Sequence, residues 1–185
     1  MIRSLAAIAL ASLLLAGVAR AQDNPPEPDR YRFDNYRAPV PATLQGARVL
    51  ETAQAEVLWR AGAAFIDVLP QPPKPAGLPP GTVWRDAPRP HIPGSLWLPD
   101  TGYGELADIT EDYFKRGLTR ASGGDRAKTL VFYCQAHCWM SWNAAKRALG
   151  YGYGNVAWYP EGTDGWSKAD LPMEDARPEP RSAGP

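Results

Sequence analysis

The feature that most constrains this chain is a short apolar run followed directly by a loop that holds both of its cysteines. Thr129 to Tyr133 predicts a strand buried on both faces, because the run is apolar, β-branched and aromatic. Ser141 to Leu149 has the periodicity of a helix, and Gly150 is placed to end it. The connecting loop contains Cys134 and Cys138. This order of elements predicts a strand–loop–helix unit with a thiol at the end of its strand.

A thiol at the carboxyl end of a parallel strand faces the N-terminus of the next helix, where backbone N–H groups and the helix dipole favour an anion. The same field lowers the pKa of a thiol, so Cys134 is the predicted nucleophile. His137 is either an acid–base or thiolate-stabilising group, since histidine is suited to proton transfer near neutral pH, or a loop residue that caps a backbone group. The rest of the predicted active-site loop is Gln135, Ala136, Trp139 and Met140.

The remaining pattern predicts an α/β domain with a mainly parallel central sheet and helices on both faces, because buried strands alternate with helical stretches. Sites in such sheets lie beyond the carboxyl ends of the strands. Asp67, Glu161 and Asp164 fall at that edge, and His91 lies in a predicted turn. Each is a pocket candidate with a structural alternative. Asp67 would tie loops together, His91 would bond to the backbone, and the other two carboxylates would be solvated loop charges.

The first 21 residues have the pattern of a signal peptide. Arg3 precedes an apolar run from Leu5 to Val18, and Ala19-Arg20-Ala21 is a cleavage pattern. The alternative, an uncleaved anchor, is disfavoured because the run is shorter than the roughly 20 residues of a membrane span. We therefore expect a periplasmic protein that is not held in a membrane after cleavage, in a compartment where disulfides persist.

Composition divides the rest of the chain into four segments. Residues 22–46 are rich in proline and aromatic residues and should lie extended across the core. Residues 47–172 form the predicted domain, with a proline-rich insertion at 69–90 that acts as a flap, a docking edge or a surface decoration. Residues 173–185 predict a disordered tail. Without the leader, 18 basic and 20 acidic residues remain, with no basic stripe, so a nucleic-acid partner is unsupported.

The order of motifs resembles a rhodanese (sulfurtransferase) domain over residues 47 to 172. The matching segments are FIDV at 65–68, HIPGSLWLP at 91–99, VFYC at 131–134, the Ala-Ala helix, and GYGNVAWYPEGTDGW at 152–166. The resemblance implies that Cys134 carries sulfane sulfur as a persulfide, between a small sulfur donor and a thiol acceptor. It implies an enzyme without a cofactor or metal.

The CxxxCW loop further resembles a group of exported rhodanese-like proteins associated with alcohol catabolism dependent on pyrroloquinoline quinone (PQQ). That association implies a periplasmic partner from a quinoprotein dehydrogenase system. Three positions depart from the common rhodanese pattern: Leu69 and Trp139 stand where basic or hydroxyl residues are frequent, and His137 stands in place of a loop glycine. An anionic donor would therefore lack its usual cationic clamp, and an open amide cradle is less well supported.

Four interpretations of the cysteine pair are open. In the leading one, Cys134 takes up sulfur or a thiol and Cys138 resolves the product. In the second, the pair is a dithiol–disulfide redox couple. In the third, both cysteines bind a soft metal together with His137 and Met140. In the fourth, a structural disulfide staples the loop of a non-catalytic binding module.

Overall fold

The computed structural model describes residues 24–83, 85 and 87–181. The strands are β1 (Arg48–Val49), β2 (Ala64–Asp67), β3 (Arg89–His91), β4 (Leu96–Trp97), β5 (Leu130–Tyr133), β6 (Val156–Trp158) and β7 (Glu174–Ala176). The helices are α1 (Thr52–Arg60), α2 (Asp108–Ser122), α3 (Trp139–Gly150) and α4 (Gly162–Lys168). Within the described ranges, no helix is both long and apolar enough to cross a membrane.

The central sheet has five parallel strands in the order β1-β6-β5-β2-β4. Its middle strand, β5, is buried at all four positions, as its apolar sequence predicts. Alternate side chains of β5 enter two separate cores. Phe132 packs with α2 and α3 on one face, whereas Val131 and Tyr133 pack with α1 and α4 on the other. The predicted α/β fold, with a parallel sheet between helical layers, is confirmed.

Several element boundaries differ from the predictions. Helix α3 begins at Trp139, two residues early, and Gly150 is its last residue rather than the residue that stops it. His91 lies at the end of β3 and not in a turn, because β3 pairs with β7 in a small antiparallel sheet. The proline-rich insertion has no regular structure before β3, and Trp84 and Asp86 lie outside the described residues.

The C-terminal segment is ordered as far as Arg181, so the prediction of a disordered tail is wrong there. Strand β7 pairs with β3, and two backbone contacts anchor the chain after it. The Glu179 N–H donates to the Trp97 carbonyl at 2.9 Å, and the Tyr113 hydroxyl donates to the Glu179 carbonyl at 3.0 Å. Composition predicts disorder from scarce apolar side chains, whereas strand pairing, hydrogen bonds and ion pairs hold this segment. Residues 182–185 lie outside the described part.

Candidate functional site

The two cysteines lie at the carboxyl edge of the sheet and form a disulfide. Cys134 directly follows β5, and Cys138 is the residue that precedes α3. Their Cα atoms are 6.5 Å apart. Cys134 is fully buried, and Cys138 is 2% exposed. The sulfur of Cys134 lies 3.7 Å from the Gln135 carbonyl oxygen and 3.6 Å from that of Cys138. Carbonyl oxygens accept a hydrogen bond from a thiol but do not stabilise a thiolate.

The amides that should cradle an anion are partly engaged within the protein. The Ala136 N–H donates to Asp164 Oδ2 at 3.1 Å, and the Trp139 N–H donates to the Tyr36 carbonyl at 2.9 Å. The amide cradle over residues 135–139, which the lack of a loop glycine made less well supported, is therefore only partly open. The physical reason is that two other parts of the chain, the beginning of α4 and the N-terminal segment, supply acceptors to this loop.

An extended N-terminal segment, residues 31–43, covers the cysteine loop, and we call it the strap. Arg37 and Cys138 are opposite one another in an isolated antiparallel bridge, and the Ala38 N–H donates to the His137 carbonyl at 3.1 Å. The Arg37 side chain donates through Nη1 to the Ala136 carbonyl at 3.0 Å. Trp139 is buried beneath the strap, and its indole N–H donates to the Pro39 carbonyl at 3.0 Å. The strap thus positions residues 136 to 139, the second half of the loop and the start of α3.

A buried ion pair between Arg89 and Asp67 contacts the beginning of the cysteine loop. Asp67 at the end of β2 is fully buried, and Arg89 forms a salt bridge to it while donating to the Cys134 carbonyl at 3.2 Å. Burial raises the pKa of Asp67 to about 6, against the opposing effect of the Arg89 guanidinium. This geometry favours the structural interpretation of Asp67 as a carboxylate that ties loops together.

His91 completes this cluster without a full set of hydrogen bonds. Its Nε2 lies 3.3 Å from Glu174 Oε1, whereas its Nδ1 lies 3.9 Å from Asp67 Oδ2 and is buried without a hydrogen-bond partner in the described structure. Burial lowers the pKa of His91, against the raising effect of Glu174. His91 therefore packs beside Asp67 and does not line either cleft next to the cysteines.

The Asp67 and His91 groups predict opposite pH dependences of stability. The pKa of Asp67 rises from 3.8 to about 6 on folding, so its contribution is fully present below 3.8 and is lost as the pH rises through about 6. The pKa of His91 falls below 6.5 on folding, so its contribution is present at higher pH and is lost as the pH falls below 6.5.

Two variants separate these effects. Acidification from about pH 7 to pH 4 should stabilise His91→Gln, which retains Asp67, by up to about 3 kcal/mol relative to Asp67→Asn, which retains His91. Urea unfolding at a series of pH values measures both slopes. Other carboxylates titrate in both variants alike, so parallel pH profiles would contradict the assignment of these two pKa shifts.

Two clefts flank the cysteine loop. The larger, of about 710 Å³, is open to Ala136, His137, Glu161 and Asp164. The smaller, of about 260 Å³, is lined by Tyr36, Arg37, Leu69, Pro70, Gln135, Cys138 and Met140. His137 is exposed and lies on the larger cleft, whereas Cys138 lies on the smaller one. Some predicted site residues are thus divided between the two clefts. The others line neither cleft: Asp67, His91, Cys134 and Trp139.

The family model described as "Rhodanese-like domain" matches residues 57–169. The chain belongs to the rhodanese-like domain family.

Two solved structures are similar to this rhodanese-like domain. One is a polysulfide-sulfur transferase homodimer from Wolinella succinogenes, with 19% identity, a TM-score of 0.45 and coverage of 71% of this chain and 80% of that chain. The other is an uncharacterized protein from Saccharomyces cerevisiae, with 21% identity, a TM-score of 0.42 and coverage of 66% and 92%. A comparison with curated proteins gave no match.

Two cationic residues of the rhodanese-like site were not among the predicted site residues. Arg89 stands at the far end of the proline-rich insertion, and Arg37 stands in the strap. A buried Asp67 at a strand end was a signal that a cation must lie nearby, since buried carboxylates are almost always paired. No comparable signal in the sequence marked Arg37, whose position depends on backbone pairing with the loop.

The soft-metal interpretation requires free thiolates near one another. In this structure the two cysteines are bonded to each other, and His137 is exposed on the other cleft. Among residues 24–83, 85 and 87–181, no group of three His, Cys, Asp or Glu side chains is arranged to hold a metal ion.

Proposed function

We propose that this protein transfers sulfane sulfur or thiol equivalents through the Cys134–Cys138 pair. The observation that carries the proposal is the position of the pair in a rhodanese-like domain. Both cysteines lie at the carboxyl edge of the sheet, within bonding distance, and one of them lines a cleft. In an α/β sheet that edge is where ligands bind.

The proposed cycle begins with the reduced pair. Cys134 takes a sulfane sulfur from a small donor and becomes a persulfide, and the donor leaves as its reduced form. The Cys138 thiolate then attacks the Cys134 sulfur, hydrosulfide leaves, and the disulfide is formed. Two equivalents of a thiol reduce the disulfide and are released as the oxidised disulfide of that thiol. An acceptor thiol that takes the outer sulfur before Cys138 attacks completes a sulfur transfer instead.

Mass spectrometry of the reduced protein after exposure to polysulfide tests this cycle. We expect one extra sulfur on Cys134 in a Cys138→Ser variant, because the persulfide then has no internal thiol to discharge it. The Cys134→Ser variant should carry none. The two variants are matched, since each removes the same disulfide and leaves one thiol. Extra sulfur on Cys138 in the Cys134→Ser variant, or no extra sulfur on either cysteine, would contradict the assigned roles.

The disulfide itself favours a second candidate function, a thiol–disulfide redox protein. The discriminating measurement is the reduction potential of the Cys134–Cys138 bond. A value well below about −300 mV is typical of a structural disulfide, whereas a more oxidising value is typical of a labile, working one. A working pair that never carries a persulfide would favour the redox function over sulfur transfer.

The proposed setting is the periplasm, in PQQ-dependent alcohol catabolism. It is supported by the leader pattern in residues 1–21, which lie outside the described residues, and by the Cys138-Trp139 sequence of the loop. A component of a quinoprotein dehydrogenase system would then be the partner. Recovery of the protein from a periplasmic fraction with Gln22 as its N-terminus is the expected observation. Retention of the leader on a cytoplasmic protein would contradict it.

A further inference from the structure

The smaller cleft borders the disulfide on the side of Cys138. Cys134 is fully buried and does not line it, whereas Cys138 is part of its wall. An external thiol that entered this cleft would therefore meet the disulfide at Cys138. Because a thiolate must reach the sulfur that it attacks, the chemistry of this cleft decides which thiols react.

The cleft wall is mainly apolar. Leu69 and Pro70 come from the beginning of the proline-rich insertion, Tyr36 from the strap and Met140 from the first turn of α3. A volume of about 260 Å³ is small beside typical ligand pockets, so the cleft suits a small molecule. Apolar walls favour an organic body over a small, strongly hydrated inorganic anion, which would lose its hydration on entry.

Arg37 is the one charged residue among the described residues that line this cleft. It is the antiparallel partner of Cys138, and side chains that are directly opposite in such a pair lie on the same face. Its guanidinium donates one hydrogen bond, to the Ala136 carbonyl at 3.0 Å, and it forms no ion pair with any residue that the structure describes. A guanidinium has five N–H donors, so several are available to a carboxylate that enters the cleft.

We propose that this cleft selects small organic thiols that carry an apolar body and a carboxylate, and that these thiols reduce the Cys134–Cys138 disulfide. The inference rests on the proposed function and names the reductant. The thiol loses its proton to solvent, and its thiolate bonds to Cys138 as the Cys134–Cys138 bond breaks. Cys134 leaves with the electron pair and is protonated. A second thiolate then displaces Cys138 from the mixed disulfide, which yields the oxidised disulfide of the thiol.

The test measures the rate at which four thiols reduce the oxidised full-length protein: mercaptobenzoate, thioglycolate, uncharged mercaptoethanol and cationic cysteamine. Acid quenching, alkylation and mass spectrometry count the free cysteines at each time. For each thiol, the ratio of variant rate to wild-type rate cancels the intrinsic reactivity of that thiol. Arg37→Gln should slow both carboxylate thiols about fivefold, leave mercaptoethanol unchanged, and not slow cysteamine.

Three further variants make the result specific. Arg37→Lys retains the positive charge and should retain most of the preference for carboxylate thiols. Arg48→Gln removes the same charge from an exposed position on β1, outside the cleft, and should change no rate. Leu69→Gln should slow mercaptobenzoate more than thioglycolate, because only the larger thiol needs the apolar wall.

The outcomes separate this inference from the proposed function. Reduction by all four thiols with equal sensitivity to Arg37→Gln would overturn the inference and leave the proposed function standing. A similar change with Arg48→Gln would also overturn it, since the effect would then be one of net charge. A disulfide that none of the thiols reduces in the folded protein would overturn the proposed function together with the inference.

Discussion

Replacing Arg89 with alanine is expected to lower the free energy of unfolding by about 3–5 kcal/mol near neutral pH. The variant leaves the Asp67 carboxylate, which is fully buried, without its cationic partner. It also removes a donor from the Cys134 carbonyl. The cost is that of an unpaired buried charge, which is larger than the net value of the ion pair itself. Urea unfolding followed by tryptophan fluorescence measures the change.

Two controls make this prediction specific to the buried pair. Arg48→Ala removes an exposed arginine that forms no ion pair with any described residue, and its effect should stay within about 0.5 kcal/mol. Adding Asp67→Asn to Arg89→Ala should recover part of the loss, because the uncompensated charge is then gone. The loss should also shrink near pH 5, where the carboxyl of the wild-type protein is itself largely protonated. A loss below about 1 kcal/mol at neutral pH would show that Asp67 does not depend on Arg89.

The sheet could be predicted because its signal is local. Each central strand is a short apolar run, and the chain direction through alternating strands and helices predicts a parallel sheet. The same logic placed Cys134, Asp67 and the loop of Glu161 and Asp164 at one edge of that sheet. This part of the prediction needs no knowledge of which distant segments touch.

The surroundings of the cysteines could not be predicted because they depend on long-range backbone contacts. The strap pairs Arg37 with Cys138, about 100 positions later, and β3 pairs with a segment whose composition is typical of disorder. Neither contact leaves a periodic pattern in the sequence. The engagement of the loop amides has the same origin, since the N–H groups of Ala136 and Trp139 donate to acceptors from Asp164 and the strap.

The absence of a glycine from the cysteine loop has a compensation inside the loop. His137 adopts a left-handed backbone with a φ of 53°, at the position where the common rhodanese pattern has glycine. Histidine tolerates this region better than bulkier residues do. His137 is exposed and lines the larger cleft, and its carbonyl accepts a hydrogen bond from the Ala38 N–H of the strap. The cysteine loop therefore makes a tight turn at His137 without a glycine.

Replacing Gly162 with alanine is expected to lower the free energy of unfolding by about 2–5 kcal/mol, because the added methyl group strains the cysteine loop. Gly162 has a φ of 51°, which alanine adopts only at a cost. An added Cβ would lie 2.7 Å from the carbonyl carbon and oxygen of Cys134 and 2.8 Å from the Gln135 Cα. These are backbone atoms, which cannot rotate away as a side chain could, so the loop itself must move.

Gly154→Ala is the matched control for this prediction. An added Cβ there meets nothing within 4 Å, and Gly154 does not have a left-handed backbone. Its change in the free energy of unfolding should stay within about 1 kcal/mol. Because the atoms displaced by Gly162→Ala belong to Cys134, the variant should also speed reduction of the disulfide by small thiols, whereas Gly154→Ala should not. Equal stability and equal reduction rates in the two variants would mean that α4 does not hold the cysteine loop in place.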